Sequence, residues 1–276
     1  GFDFQAGRID TATPPFCTGL TPGDTRLTTR YLTSDPTSSL FGVLHEAGHG
    51  MYEQGLLPEE GGHPAGTAVS LGIHESQSRL WENHVGRSQA FWATWLPRAQ
   101  ELFPPLRDLS LDEIVQIVNT AKRSHIRVEA DEVTYDLHIL LRFQLERALL
   151  TKEIGVQDLP REWNTRFEKL FGISVPDHAH GCLQDVHWSF GLLGYFPTYT
   201  LGNLNAAQLF HAAQNQNPAI SGDLATGNYA TLLAWLREKI HQPGSSLLPP
   251  DLILAATGEP TNHAYPLSHL RNRYLT

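Results

Sequence analysis

The 276 residues carry 20 basic and 29 acidic side chains, a formal charge of −9, with no basic run of five or more. That balance argues against nucleic acid or an anionic membrane as partners, and no apolar run approaches the length of a transmembrane helix. Two cysteines, Cys17 and Cys182, are too few for a disulfide framework and read as free thiols in a reducing, cytoplasmic compartment.

The length suits one large or two ordinary domains with a substantial core. Residue 1 is Gly and the only methionine is Met51, so the chain does not open on an ordinary initiator. It shows no signal-peptide pattern, and the expectation is a removed upstream portion or a missing short start.

Residues 1–23 are rich in Gly, Pro and Thr and read as an irregular N-terminal segment. Residues 24–33 alternate polar and β-prone side chains and predict a strand, with an edge on which an extended peptide could pair. Ser34 or Asp35 can cap the next helix, with Pro36 in its first turn. That helix carries Phe41, Leu44, Gly48 and Met51 as an apolar stripe. Residues 56–69 form a Gly/Pro loop, and Ser70 opens a second helix running to about Trp95. Pro97 and the pair Pro104 and Pro105 punctuate the stretch after it. Ser110 and Glu113 form a capping box for a helix through about Arg123. A helix over 133–150 takes its apolar side from Leu137, Leu140, Leu141, Phe143 and Leu145. Further helices are predicted at 159–171, 204–215, 224–241, 251–257 and 267–275. The expected architecture is mainly α with one small sheet, as a single catalytic domain over 1–276.

Within the first helix lies an H-E-x-x-H pentad, His45, Glu46, Ala47, Gly48 and His49. His45 and His49 are four apart and project from one helix face, close enough to share one metal ion. Glu46 lies about 100° round the helix, badly placed as a ligand but able to reach a water on the metal. A catalytic zinc site takes three protein ligands. Glu75, 26 positions after His49 on the next helix, is the candidate for the third if the loop turns that helix back. His74 is a rival ligand, expected instead to support the site. Two imidazoles and a carboxylate suit zinc, with cobalt or manganese as alternatives. The chemistry implied is hydrolysis of a peptide or similar amide, with Glu46 as general base.

Three more stretches stand out. Arg127 sits among Glu129, Asp131 and Glu132; Gln184, Asp185, His187 and Trp188 crowd together; Tyr195, Phe196 and Tyr199 mark an aromatic turn. Each alone reads more simply as a surface ion pair or packing. The first two, around Arg127 and Asp131 and around Gln184 to Trp188, together with Asp24, Arg26 and Thr28 (D-x-R-x-T), the pentad, and His74 to Gln77, resemble the thermostable (Taq-type) zinc metallocarboxypeptidases, gluzincins with His-Glu-x-x-His. Five motifs in the family's order carry that resemblance.

The resemblance implies a helical fold with an active-site cleft and a small sheet beside the zinc helix. It implies release of single residues from the free C-terminus of peptides, with broad specificity, often by a homodimer. Carried over by motif, His45, His49 and Glu75 are the zinc ligands and Glu46 the base. Arg127 is the candidate for gripping the substrate carboxylate, Arg26 a weaker one, and His187 and Tyr199 would donate to the oxyanion or carboxylate. Two departures stand out. Pro14 occupies the place of a family histidine, and the family's usual N-terminal half is lacking. An oligopeptidase or endopeptidase on the same site, and an inactive metal-binding interaction protein, are the competing readings.

Overall fold

The computed structural model describes residues 1–12, 14–32 and 34–275. Thr13 in the N-terminal segment and Thr33 at the end of the predicted strand lie outside the described residues. The chain separates into two compact units, Gly1–Val118 with Leu201–Thr276, and Asn119–Thr200.

The first unit opens on a three-stranded sheet of β1 (Gly7–Thr11), β2 (Cys17–Thr21) and β3 (Asp24–Thr29), in the order β1-β3-β2. The segment expected to be irregular therefore contains two strands. Both are short and mostly exposed, so they carry no buried alternation for a pattern to reveal. β3 pairs parallel with β1 and antiparallel with β2. It is the central strand, and the expected free edge on it is already filled on both sides.

Helix α1 (Pro36–Glu53) packs on β3. Asp35 caps it, accepting from the Thr37 and Ser38 amides at 3.0 and 3.2 Å, with Pro36 in the first turn. Helix α2 (Leu71–Arg79) is capped by Ser70 through the Ile73 amide at 3.2 Å. It passes into a π-helical turn over Leu80–Val85, then stops; Ser88 caps a new helix, α3 (Gln89–Leu102). The single helix expected to Trp95 is thus two helices, and Pro97 lies inside α3 instead of ending it.

The Ser110–Glu113 box forms reciprocally, Ser110 N–H to Glu113 at 2.8 Å and Glu113 N–H to Ser110 Oγ at 3.3 Å. Its helix, α4 (Leu111–Val118), ends about one turn short of the expected Arg123.

In the second unit, α5 (Tyr135–Leu150) and α6 (Leu159–Phe171) enclose a core of Leu141, Leu145, Trp163, Phe167 and Phe171. Leu140 and Phe143, expected inside, are 40 % exposed, while Arg142 and Glu146 of the same helix are buried. Buried polar partners explain the inversion: Glu146 accepts from Trp188 Nε1 at 2.7 Å, and Arg142 from its Nε meets Asp185 at 2.7 Å.

Helix α7 (Pro197–Gln216) starts two turns earlier than predicted, with Pro197 in its first turn. A separate α8 (Ala219–Ala225) follows, and the predicted 224–241 helix starts later, as α9 (Ala230–Leu236) continued by a π-turn over Arg237–His241. α10 (Pro249–Thr257) and α11 (Ala264–Tyr274) complete the chain. Among the described residues, eleven α-helices and one three-stranded sheet make the fold mainly α. None of these helices is long and apolar enough to cross a membrane.

α1 meets α2 closely at Gly48, where an added Cβ would stand 2.6 Å from both the Gln77 carbonyl oxygen and Ser78 Cα. Those are backbone atoms and cannot swing aside. Ala favours a helix over Gly by about 1 kcal/mol, but overpacking costs roughly 1–3 kcal/mol. Gly48→Ala is therefore expected to lower the thermal unfolding midpoint; an unchanged or raised midpoint would show that the two helices have slack.

His138 of α5 is fully buried against Phe171, ring centroids 4.4 Å apart, and neither ring nitrogen has a hydrogen-bond partner. Burial, then the charges of Arg142 and Arg127, pull its pKa from 6.5 to about 3. The unfolded chain then binds a proton that the folded chain refuses, so this stability is present above 6.5 and drains away as pH falls towards about 3. His138→Phe removes that proton site. The gap between unfolding midpoints at neutral and mildly acidic pH should shrink in this variant; an identical gap would contradict the assignment.

Candidate functional site

α1 presents His45 and His49 from successive turns, and α2 returns alongside to present Glu75. Ligand atoms of these three side chains all lie within 4.8 Å of one another. Glu75 Oε2 stands 3.7 Å from His45 Nε2 and 3.5 Å from His49 Nε2. These separations are long for hydrogen bonds. They lie at or just above the separation that ligand atoms would have around one zinc-sized ion, about 3.3–3.6 Å for bonds of about 2.0–2.2 Å. Two imidazole nitrogens and one carboxylate oxygen form a donor set that suits such an ion.

Both imidazoles turn Nδ1 outward. His45 Nδ1 bonds Glu82 Oε2 at 2.9 Å, and His49 Nδ1 lies 2.6 Å from His74 Nδ1. His74 Nε2 in turn meets Glu53 Oε1 at 2.7 Å. Arg79 Nε donates to the remaining oxygen of Glu75 at 2.8 Å and its Nη1 to Glu82 at 3.3 Å. α7 closes in from another side, since a Cβ on Gly202 would stand 2.3 Å from Glu75 Cγ.

Electrostatics follow from this crowding. Burial opposes the Glu75 carboxylate, yet His45, Arg79 and His49 outweigh it and hold Glu75 well below the usual carboxylate range. Glu82 is held near 2 in the same way, by Arg79, His45 and Arg87 against burial. At Glu46 no arginine helps, and His45 and His74 oppose burial only in part. Burial pushes the Glu46 carboxyl up to about 7, with Glu75 and Glu82 adding to the rise. One carboxylate of the cluster can thus exchange a proton near neutrality while its neighbours stay charged.

Arg26 lies on β3, where its Nη1 pairs with Asp24 at 2.5 Å and its side chain is partly exposed. The other three candidates gather in the second unit. Arg127 is buried; its Nε and Nη2 donate to Asp185 Oδ1 at 3.0 and 2.7 Å, and its Nη1 to Tyr135 at 2.9 Å. Arg142 holds the other Asp185 oxygen. Asp185 fixes the plane of the Arg127 guanidinium, with three of its five N–H groups engaged. The Tyr199 ring lies 4.9 Å from the Arg127 guanidinium carbon, and Tyr199 OH meets His187 Nε2 at 3.0 Å. Tyr199, expected in an aromatic turn, stands in the first turn of α7. Burial and Arg127 pull His187 down to about 4, leaving a neutral ring at physiological pH.

Sequence reasoning missed Glu53, Arg79 and Glu82. Glu75, Arg79 and Glu82 lie four and three apart, and that one-face spacing was the available signal. Glu53 carried none, because its partner sits 21 residues away on another helix.

Comparison with known proteins identifies the family. The family model for the carboxypeptidase Taq (M32) metallopeptidases matches residues 1–274. The chain is similar to thermostable carboxypeptidase 1 of Thermus thermophilus, 48 % identical over 274 residues, which are 99 % of this chain and 54 % of that protein. It is similar to carboxypeptidase 1 of Bacillus subtilis, 43 % identical over 99 % of this chain and 55 % of that one. The crystal structure of an M32 carboxypeptidase from Deinococcus radiodurans R1 superposes with a TM-score of 0.96 at 44 % identity, covering 99 % of this chain and 55 % of that chain. The chain spans about half the length of the curated relatives it matches. On the family model and these identities, the chain belongs to the carboxypeptidase Taq (M32) metallopeptidase family.

Proposed function

We propose that this chain is the metal-bearing part of a zinc carboxypeptidase that releases single residues from the free C-terminus of peptides with broad specificity. The observation that carries the reading is the spacing of His45 Nε2, His49 Nε2 and Glu75 Oε2, which suits one shared cation. Zinc is the first choice for His₂Glu, and cobalt or manganese are chemically compatible. When bound, the cation supplies Lewis-acid polarisation.

The chain's own residues do the rest. Glu46 takes a proton from the attacking water and delivers it to the leaving amine. Arg127, its plane held by Asp185, has two N–H groups left for a substrate carboxylate. With His187 Nε2–H donating to the Tyr199 oxygen, Tyr199 keeps its own hydrogen for a developing or resident negative oxygen, and Arg26 is a secondary carboxylate contact. In this reading the two units act as one catalytic domain, in a cytoplasmic homodimer.

The test is a peptide digest of metal-loaded protein followed by mass spectrometry. Ladders shortened from the C-terminus are expected, and matched C-terminally amidated peptides should resist. Glu46→Gln should keep the metal and lose about 10²–10⁴-fold in rate. Equal cleavage of free and amidated peptides at internal bonds would point to an endopeptidase, and hydrolysis unaffected by Glu46→Gln would remove the assigned base.

A further inference from the structure

The two proposed ligand imidazoles have different outer partners. His45 faces a carboxylate directly, Glu82 at 2.9 Å. His49 faces another imidazole, His74, with the two Nδ1 atoms 2.6 Å apart. At that distance one Nδ1 must carry the hydrogen and the other the lone pair. A ligand imidazole gives its lone pair to the metal, so His49 needs a free Nε2 and an Nδ1–H. His74 Nδ1 is then the acceptor, and its own hydrogen sits on Nε2. That nitrogen points at Glu53 Oε1, 2.7 Å away, an acceptor in the required place. A single tautomer assignment satisfies all three groups.

The far end of the chain of contacts is sterically set. Glu53 ends α1, and its second oxygen, Oε2, lies against β2 at Gly19. A Cβ at residue 19 would stand 2.4 Å from Glu53 Oε2 and 2.9 Å from Glu53 Cδ. The atoms in the way belong to the end of a flexible side chain, so the carboxylate would move and the strand would stay.

We propose that Glu53 and His74 form a positioning relay that holds His49 in its metal-ligating tautomer, and that the bare backbone at Gly19 is what lets Glu53 reach His74. This rests on the reading of His45, His49 and Glu75 as metal ligands. A plain Glu53–His74 ion pair accounts for the 2.7 Å contact but not for the second nitrogen of His74 being aimed at a ligand. Outer partners of ligand histidines typically change metal affinity about 10- to 100-fold when removed. Gly19, two elements away from any ligand, becomes a determinant of that affinity through one carboxylate.

The experiment uses the full chain and zinc alone, with affinity read by competition against a chromophoric chelator. Ring ¹⁵N shifts of His49 in metal-free protein report its tautomer. Glu53→Ala should weaken zinc about 10- to 100-fold and spread His49 over both tautomers. Glu53→Gln, whose amide oxygen still accepts from His74, should keep the Nδ1–H tautomer and lose less affinity. Gly19→Ala should weaken zinc several-fold, and adding it to Glu53→Ala should change nothing further, since both act through one group. His49→Ala is the control. If it binds zinc as tightly as the parent chain, the metal reading itself fails. If it loses zinc while Glu53→Ala and Gly19→Ala keep parental affinity and tautomer, the relay alone is overturned.

Discussion

One cation can bridge α1 and α2 only if the two backbones come close, and that approach depends on a missing side chain. Gly48 stands between the proposed ligands His45 and His49, and its Cα faces the Gln77 carbonyl and Ser78 Cα with no room for a Cβ. Gly202 repeats the arrangement from α7, pressing backbone against the Glu75 side chain. Between these contacts Glu75 has little choice of rotamer. A carboxylate with its direction set by packing needs no reorganisation to meet an ion, which is the condition for a tight and selective site. The rest of the first unit serves this approach: β3 backs α1, and the capped starts of both helices set where they begin.

Close approach gathers charge, and the fold answers it in layers. Glu46, Glu75 and Glu82 are all buried or nearly so, an arrangement that would be costly without cations among them. Arg79 serves Glu75 and Glu82 together, and Arg87 adds to Glu82. Glu46 receives only a partial offset, from His45 and His74, so burial displaces its carboxyl towards neutrality. The second unit uses the same device in reverse: two arginines, Arg127 and Arg142, converge on the single carboxylate of Asp185. There, charge neutralisation holds an arginine in place instead of a carboxylate.

Local periods and local motifs were legible in the sequence. The pentad, the caps at Asp35, Ser70 and Ser110, and the helix at 159–171 all arise from residues within one or two turns of each other. Glu75 came from its spacing after His49 and from the family's motif. The unread features are set by distant partners. β1 and β2 are exposed strands that exist because β3 offers both edges. Along α5, Leu141 and Leu145 are buried as expected, but Arg142 and Glu146, whose partners Asp185 and Trp188 lie some 40 residues on, take inside places that hydrophobic periodicity gave to Leu140 and Phe143. Family resemblance supplied Arg127 and His187 as candidates, but the reason Arg127 is rigid, Asp185 shared with Arg142, appears only in three dimensions.

The central claim is that three side chains from two helices hold one ion. Anomalous diffraction from zinc-loaded crystals, recorded on both sides of the zinc absorption edge, addresses it directly. The account predicts a single peak about 2.0–2.2 Å from His45 Nε2, His49 Nε2 and Glu75 Oε2 together. A peak that leaves Glu75 out of the coordination shell, or no peak between α1 and α2, would contradict it.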